Sequence, residues 1–231
     1  MDRREGPVIT TSPPERDRPI LAAAWYEFVR RLVGVLALLQ GGLRVTGLEN
    51  VPPRGGALLV ANHVSFLDVL AIGVAVPRHL NYVARSSLFF PPLGALMRSV
   101  GTFPIEREGV GKQGLLETIR RVQAGGIVTL FPEGTRSPDG SLQPLKPGIA
   151  VLVARANVPV LPVGVAGTFE SWPRDRDRPR PHPLRVHVGP CIAPAELAGR
   201  DRAEVTALIH DRIAACVTEA RRLLEKDLSG A

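Results

Sequence analysis

Hydrophobic and polar positions along this 231-residue chain change rhythm several times, and each change predicts an element. An apolar stretch occupies 20–43, interrupted near its centre by Glu27, Arg30 and Arg31. The apolar run after these charges, 32–43, falls short of the roughly twenty residues that a membrane-spanning helix needs. The segment therefore predicts an in-plane helix or helical pair, with an ordinary core helix as the plain alternative. Trp25 and Tyr26 beside arginines suit a headgroup zone.

Beyond it, short apolar runs bounded by turn residues alternate with segments of helical period. Strands are predicted at 44–47, 57–61, 80–84, 102–105, 127–131 and 185–188, and 158–165 is β-rich. Helices are predicted at 65–76, 112–123 and 148–157, with a long closing helix at 202–226. Residues 86–99 carry Leu88, Phe89, Phe90, Leu93, Leu96 and Met97, broken by Pro91 and Pro92, and 172–183 reads as a loop dense in Pro, Arg and Asp. This alternation predicts an α/β fold: a single domain with a mostly parallel central sheet flanked by helices, preceded by an apolar N-terminal helical segment. The chain divides into a polar tail at 1–19 of disordered composition, a membrane-associating helical segment at 20–43, and a domain at 44–228.

Charge narrows the partners. The formal net charge is +7 and the pI near 10.4, so the surface favours polyanions: nucleic acid, anionic membrane or phosphorylated substrates. Aromatic content of 5% argues against a base-stacking platform, and no zinc-finger spacing or basic heptad is present. No nucleic-acid partner is expected. Two cysteines, Cys191 and Cys216, make no disulfide framework and suit a reducing compartment. The expected location is the cytoplasmic face of the cell membrane, peripheral or monotopic.

Four strings carry candidate chemistry. In the first, Asn62-His63-Val64-Ser65-Phe66-Leu67-Asp68 follows the strand at 57–61. Ser65 reads as a helix N-cap with Asp68 in the first turn. If His63 lies in the loop before the cap, Asp68 can fold back on one imidazole nitrogen and leave the other free to take a proton. The plain alternative is a capping Asp68 and a solvated His63. The second string, Phe131-Pro132-Glu133-Gly134-Thr135-Arg136-Ser137, follows another strand. Its Gly134 lets backbone amides approach a ligand, and Arg136 offers a fork matched to phosphate oxygens, against the alternative of a surface turn. The third, Gly101-Thr102-Phe103-Pro104-Ile105-Glu106-Arg107, ends on an arginine that completes a phosphate clamp or pairs with a neighbouring glutamate. The fourth, Val158-Pro159-Val160-Leu161-Pro162-Val163, suits a sheet edge or bulge lining a groove, or plain core packing.

Three other readings find less support in the residues. Gly109-Val110-Gly111-Lys112-Gln113-Gly114 satisfies G-x-G-x-x-G, but Glu106, Arg107 and Glu108 spoil the tight strand-to-helix turn that a dinucleotide site needs. His63 and Asp68 lack a third metal ligand at a suggestive spacing, and no G-x-S-x-G surrounds Ser65.

Taken in order, the four strings resemble the glycerolipid acyltransferase family, whose signature comprises an N-H-x4-D block, a G-x-x-F/P-[IV]-x-R block, an F-P-E-G-T-R-S block and a V-P-x-x-P-[VI] block. They fall at 62–68, 101–107, 131–137 and 158–163, and the resemblance spans about 44–190. Pro104 departs from the apolar residue many members carry. The resemblance implies that His63 is the general base, oriented by Asp68, for transfer of a fatty acyl group to the free hydroxyl of 1-acylglycerol-3-phosphate, giving phosphatidic acid. The donor is acyl-CoA or acyl carrier protein, with no cofactor and no metal. It further implies that Asn62, Arg107, Glu133, Gly134, Thr135 and Arg136 bind the substrate, and that Val158, Pro159 and Pro162 line the acyl path. Partners are then a lysophospholipid acceptor and an anionic membrane surface. Another lysolipid acceptor, such as a lyso-aminolipid, or an inactive lipid-binding protein on the same scaffold, are the alternatives.

Overall fold

The computed structural model describes residues 19–39, 41–105 and 111–230. Seven strands form one sheet: β1 (Leu43–Thr46), β2 (Ala57–Ala61), β3 (Leu80–Arg85), β4 (Phe103–Ile105), β5 (Ile127–Leu130), β6 (Val160–Ala166) and β7 (Leu184–Val188). Their order is β1-β7-β6-β2-β5-β3-β4. Every neighbouring pair is parallel except β6 with β7, so five strands run one way and β7 and β1 the other. The mostly parallel α/β sheet is as expected.

Helices are α1 (Ile20–Leu39), α2 (Leu67–Ala75), α3 (Leu93–Ser99), α4 (Lys112–Gln123), α5 (Gly148–Ala156), α6 (Thr168–Ser171), α7 (Pro194–Leu197) and α8 (Arg202–Leu228). Every residue of β2, β5 and β6 is buried, which is why these strands read as unbroken apolar runs rather than as alternating ones. Alternate side chains still serve different layers. Leu58, Val60, Val128 and Val160 share a core with Val122, Ile149, Leu152, Ile209 and Ile213 of α4, α5 and α8. Leu59, Ala61, Ile127, Leu161 and Val163 pack with Ala71, Ile72 and Ala75 of α2. Burying a side chain such as Ile72 stabilises by about 1.5–3 kcal/mol relative to exposing it. α8 crosses β6 at backbone contact: a Cβ on Gly164 would stand 2.2 Å from the carbonyl carbon of Cys216. Only glycine permits that approach.

Several boundaries moved for physical reasons. α2 begins at Leu67, not 65, because the Val64 and Ser65 amides turn inward to the Asp68 carboxylate. The N-cap position falls on Phe66, which corrects Ser65 as the cap; the Ser65 hydroxyl accepts from the Leu67 amide at 3.1 Å in the turn ahead of the helix. β6 begins at Val160, two residues late, with Val158 and Pro159 ahead of it. It is also an interior strand, which corrects the edge reading, while the bulge reading holds: between Val160↔Ile192 and Val163↔Val188 the antiparallel register slips by one residue. Pro162 survives there because its missing N–H falls at that register slip, while its carbonyl accepts from Gly189 at 2.9 Å.

α1 is one helix, with Ala37 its only buried residue. It docks on the domain through Trp25 Nε1 donating to Ser99 Oγ at 2.9 Å and Arg30 Nη1 donating to the Val74 carbonyl at 3.1 Å. Hydrogen bonds from Arg30 and Arg31 hold the Glu27 carboxyl down at about 2, so its charge sits satisfied on the helix surface. Ile20, Leu21, Phe28, Leu32, Val35, Leu36, Leu38 and Leu39 are exposed, which removes the core-helix alternative. Among the described residues no helix is long and apolar enough to cross a membrane. The tail at 1–18, Arg107, Gly109 and Val110 lie outside the described residues.

Candidate active site

The parallel strands deliver their following loops to one edge of the sheet, where α/β folds place ligands. His63 follows β2, the 131–137 turn follows β5, Thr168 follows β6, and Arg85 ends β3. Because β2 is central in the sheet, its loop meets neighbours from both sides.

His63 Nδ1 lies 2.9 Å from Asp68 Oδ2, and Asp68 is fully buried. The same oxygen accepts the amides of Val64 at 2.6 Å and Ser65 at 2.7 Å. The other, Oδ1, accepts the Thr168 hydroxyl at 2.6 Å. Three donors from the protein frame thus fix the carboxylate, and the carboxylate fixes the imidazole tautomer with its proton on Nδ1. Nε2 is left for chemistry, on a side chain still 17% exposed. Phe131, released at the end of β5, stacks on the ring with centroids 4.1 Å apart and planes 22° apart.

The backbone of His63 is held as tightly as its ring. Its amide donates to Glu133 Oε1 at 2.5 Å, and its carbonyl accepts from the Ser137 amide at 2.7 Å. Glu133 Oε2 accepts from the Gln143 amide at 2.8 Å. Burial raises the Glu133 carboxyl to about 7, against the pull of the Gln143 and His63 amides and with the help of the Asp68 charge. Both its oxygens are engaged and the residue is 2% exposed, so Glu133 ties the β2 and β5 loops together and does not face a ligand. Asn62 is inward as well: Nδ2 donates to the Val165 carbonyl at 3.0 Å and Oδ1 accepts the Val165 amide at 2.8 Å. These two bonds continue the β2–β6 pairing past its last backbone pair. The expectation that Asn62 and Glu133 touch substrate is corrected to positioning, because their polar atoms are consumed by the backbone.

Gly134, at φ 77°, and Thr135 form the exposed tip of the second turn, with the Lys146 side chain beside Gly134. Arg136 is half-buried, its guanidinium 3.7 Å from the centroid of Phe66. Burial lowers its pKa, and the cations Arg174 and Arg85 lower it further while Asp68 opposes them. His63, Asp68, Gly134, Thr135 and Arg136 therefore come together. Val158 and Pro159 do not: they precede β6, and Pro159 accepts from Leu58 at the strands' starting edge, opposite His63. Pro162 is buried in mid-strand. The structure thus leaves Val158 and Pro159, both half-buried, and Pro162 away from the His63 loop, because the parallel sheet separates the start of β6 from its end.

The sequence does not single out Thr168, nor does it show the stacking of Phe131 on His63 or the contact of Phe66 with Arg136. A Gly-Thr pair directly after a buried strand was the available signal for Thr168, since in a parallel sheet that position shares the edge with His63. Among the described residues no three His, Cys, Asp or Glu side chains gather as a metal site requires.

The sequence profile described as Acyltransferase matches residues 42–166. A 1-acyl-sn-glycerol-3-phosphate acyltransferase of Bacillus subtilis (strain 168) is 30% identical over 144 residues, covering 62% of this chain and 71% of that protein. The chloroplastic 1-acyl-sn-glycerol-3-phosphate acyltransferase BAT2 of Brassica napus is 34% identical over 144 residues, covering 60% of this chain but 41% of its own length. The fold matches that of PlsC, the 1-acyl-sn-glycerophosphate (LPA) acyltransferase of Thermotoga maritima, with a TM-score of 0.73, 24% identity, and coverage of 86% of this chain and 82% of that one. With more than half its length matched to the profile, the chain belongs to the Acyltransferase family.

Proposed function

We propose that this protein transfers a fatty acyl group from an acyl thioester, carried by coenzyme A or acyl carrier protein, to the free hydroxyl of 1-acylglycerol-3-phosphate. The observation that carries the reading is the His63–Asp68 pair at 2.9 Å, made through Nδ1 on a side chain still 17% exposed. The names of the curated relatives support the acceptor.

In this reading His63 Nε2 removes the hydroxyl proton as the oxygen attacks the thioester carbonyl. Asp68 stabilises the imidazolium that forms. Collapse of the tetrahedral intermediate breaks the C–S bond, and the imidazolium proton goes to the departing sulfur. No acyl-enzyme forms and no cofactor takes part. Arg136, with Arg107, receives the phosphate, and the open Gly134–Thr135 tip leaves room for the glycerol. Glu133, Asn62 and Thr168 act by positioning.

The exposed apolar side of α1, joined near the site by Phe66, Leu70, Phe90, Leu93 and Leu96, supports docking on a membrane from which the lysolipid is drawn. The net positive charge favours an anionic leaflet, and the cytoplasmic face is the one consistent with two free cysteines.

The deciding experiment measures thiol release by the purified protein with acyl-CoA and acyl carrier protein donors, against lysophosphatidic acid and a phosphate-free monoacylglycerol. Transfer to the phosphorylated acceptor, lost by about 10²-fold or more in His63→Ala, is the expected result. Unchanged transfer in that variant sinks the base assignment, and equal use of the phosphate-free acceptor sinks the phosphate role.

A further inference from the structure

The loop after α6 takes no part in the chemistry above, yet it is built and docked. Its ends are tied by Arg180 N–H donating to the Ser171 carbonyl at 2.9 Å and Ser171 Oγ donating to the Arg180 carbonyl at 2.6 Å. Arg180 Nε adds a bond to the Glu170 carbonyl at 2.8 Å, and Trp172 Nε1 spans the loop to the Arg176 carbonyl at 2.8 Å. Self-bonded loops of this kind hold a defined shape.

The same loop is fastened to the catalytic turn. The Trp172 carbonyl accepts Ser65 Oγ at 2.7 Å, and the Trp172 ring meets Phe66 with centroids 5.8 Å apart. Phe66 is also the ring on which Arg136 rests. Arg174, two residues beyond Trp172, is exposed, and its charge is the strongest acting on Arg136. Arg85 adds to the same field from the end of β3. Among the described residues none of the three has a carboxylate at ion-pair distance. Guanidiniums that act on one another repel, Asp68 offsets only part of this at Arg136, and a multiply charged anion removes it.

The geometry points to an organophosphate-binding site in which Arg174, held over the catalytic turn by the Trp172–Phe66 contact, joins Arg136 as a second fork. This rests on the proposed reaction only in naming the ligands, whose phosphate belongs either to the lysophospholipid acceptor or to the acyl donor. Arginine forks suit the oxygens of both.

The test is calorimetric titration of the full chain and of Arg174→Gln, without turnover. The acceptor arm uses hexanoyl lysophosphatidic acid against hexanoylglycerol. The donor arm uses coenzyme A against pantetheine. Wild-type protein is expected to bind a phosphorylated member better than its phosphate-free partner. Arg174→Gln is expected to weaken that binding about five-fold, with Arg174→Lys keeping part of it and circular dichroism unchanged. The arm that loses affinity names the source of the phosphate. Dissociation constants within two-fold of wild type in both arms overturn the site, as does a wild-type protein that prefers neither phosphorylated ligand. A protein that binds phosphate through Arg174 yet transfers no acyl group instead overturns the proposed reaction and leaves the site standing.

Discussion

Thr168 donates its hydroxyl to Asp68 Oδ1 at 2.6 Å, across 100 positions of sequence, on the oxygen that His63 does not use. The β6 loop therefore helps to fix the carboxylate that fixes the His63 imidazole. A hydrogen bond to a charged group contributes about 1.5–3 kcal/mol, or roughly 10–100-fold in rate where it holds a catalytic geometry. Thr168→Val should lower kcat about 10-fold or more with little change in KM, and Thr168→Ser should restore most of it. Equal kcat for the Val and Ser variants would remove Thr168 from the relay.

Asp68→Asn tests the acid itself. The amide cannot accept both amides, the hydroxyl and an imidazole N–H, so the tautomer at His63 is lost. Steady-state acyl transfer should fall by about 10³-fold or more. Activity within ten-fold of wild type would reduce Asp68 to a cap.

Glu133 makes stability depend on pH. Its folded carboxyl titrates at about 7 against an ordinary value of 4.5, so the folded state holds the proton more tightly than the unfolded chain. Folding is therefore unpenalised below about pH 4.5, and the cost of ionising a buried acid grows as pH rises to 7 and is complete above it, at roughly 3 kcal/mol. Glu133→Gln keeps a neutral side chain throughout. The melting temperature of wild type should fall relative to that variant between pH 5 and 8, by about 2–4 °C per kcal/mol. A constant difference across that range would show that Glu133 is ionised throughout.

Asn62→Ala should cost stability through Val165, whose amide and carbonyl would be left unpaired in the interior. Each such orphan costs about 1–3 kcal/mol. Denaturant midpoints should drop accordingly, while KM for the acceptor in the folded fraction stays near wild type. A large rise in KM without loss of stability would return Asn62 to substrate contact.

Phe28 and Leu36 point away from the domain on α1, 57% and 52% exposed. Changing both to Glu should cut co-sedimentation with anionic vesicles about 10-fold or more, because each large apolar side chain contributes about 1.5–3 kcal/mol on burial. Unchanged vesicle binding would leave α1 without that role.

Much of the site was legible because its residues lie close in sequence after recognisable strands. His63 and Asp68 are separated by one turn, and the 131–137 turn brings Gly134, Thr135 and Arg136 to the same edge. What misled was assuming that a residue inside a signature string must touch the ligand. Asn62 and Glu133 sit in such strings yet face the interior, where backbone groups need partners. Val158, Pro159 and Pro162 belong to the starting edge and middle of a strand whose far end carries the chemistry.

By itself, the sequence determined the strand–helix alternation, the mostly parallel sheet and the contact of Asp68 with His63, since each depends on local hydrophobic period, turn chemistry and short spacing. Only the tertiary structure decided that Thr168 supports Asp68, that Phe131 stacks on His63, and that Trp172 meets the Phe66 ring on which Arg136 rests. Strand order sets these contacts. β6 and β5 flank β2 in the sheet while lying far from it along the chain, and no local pattern records which strands become neighbours.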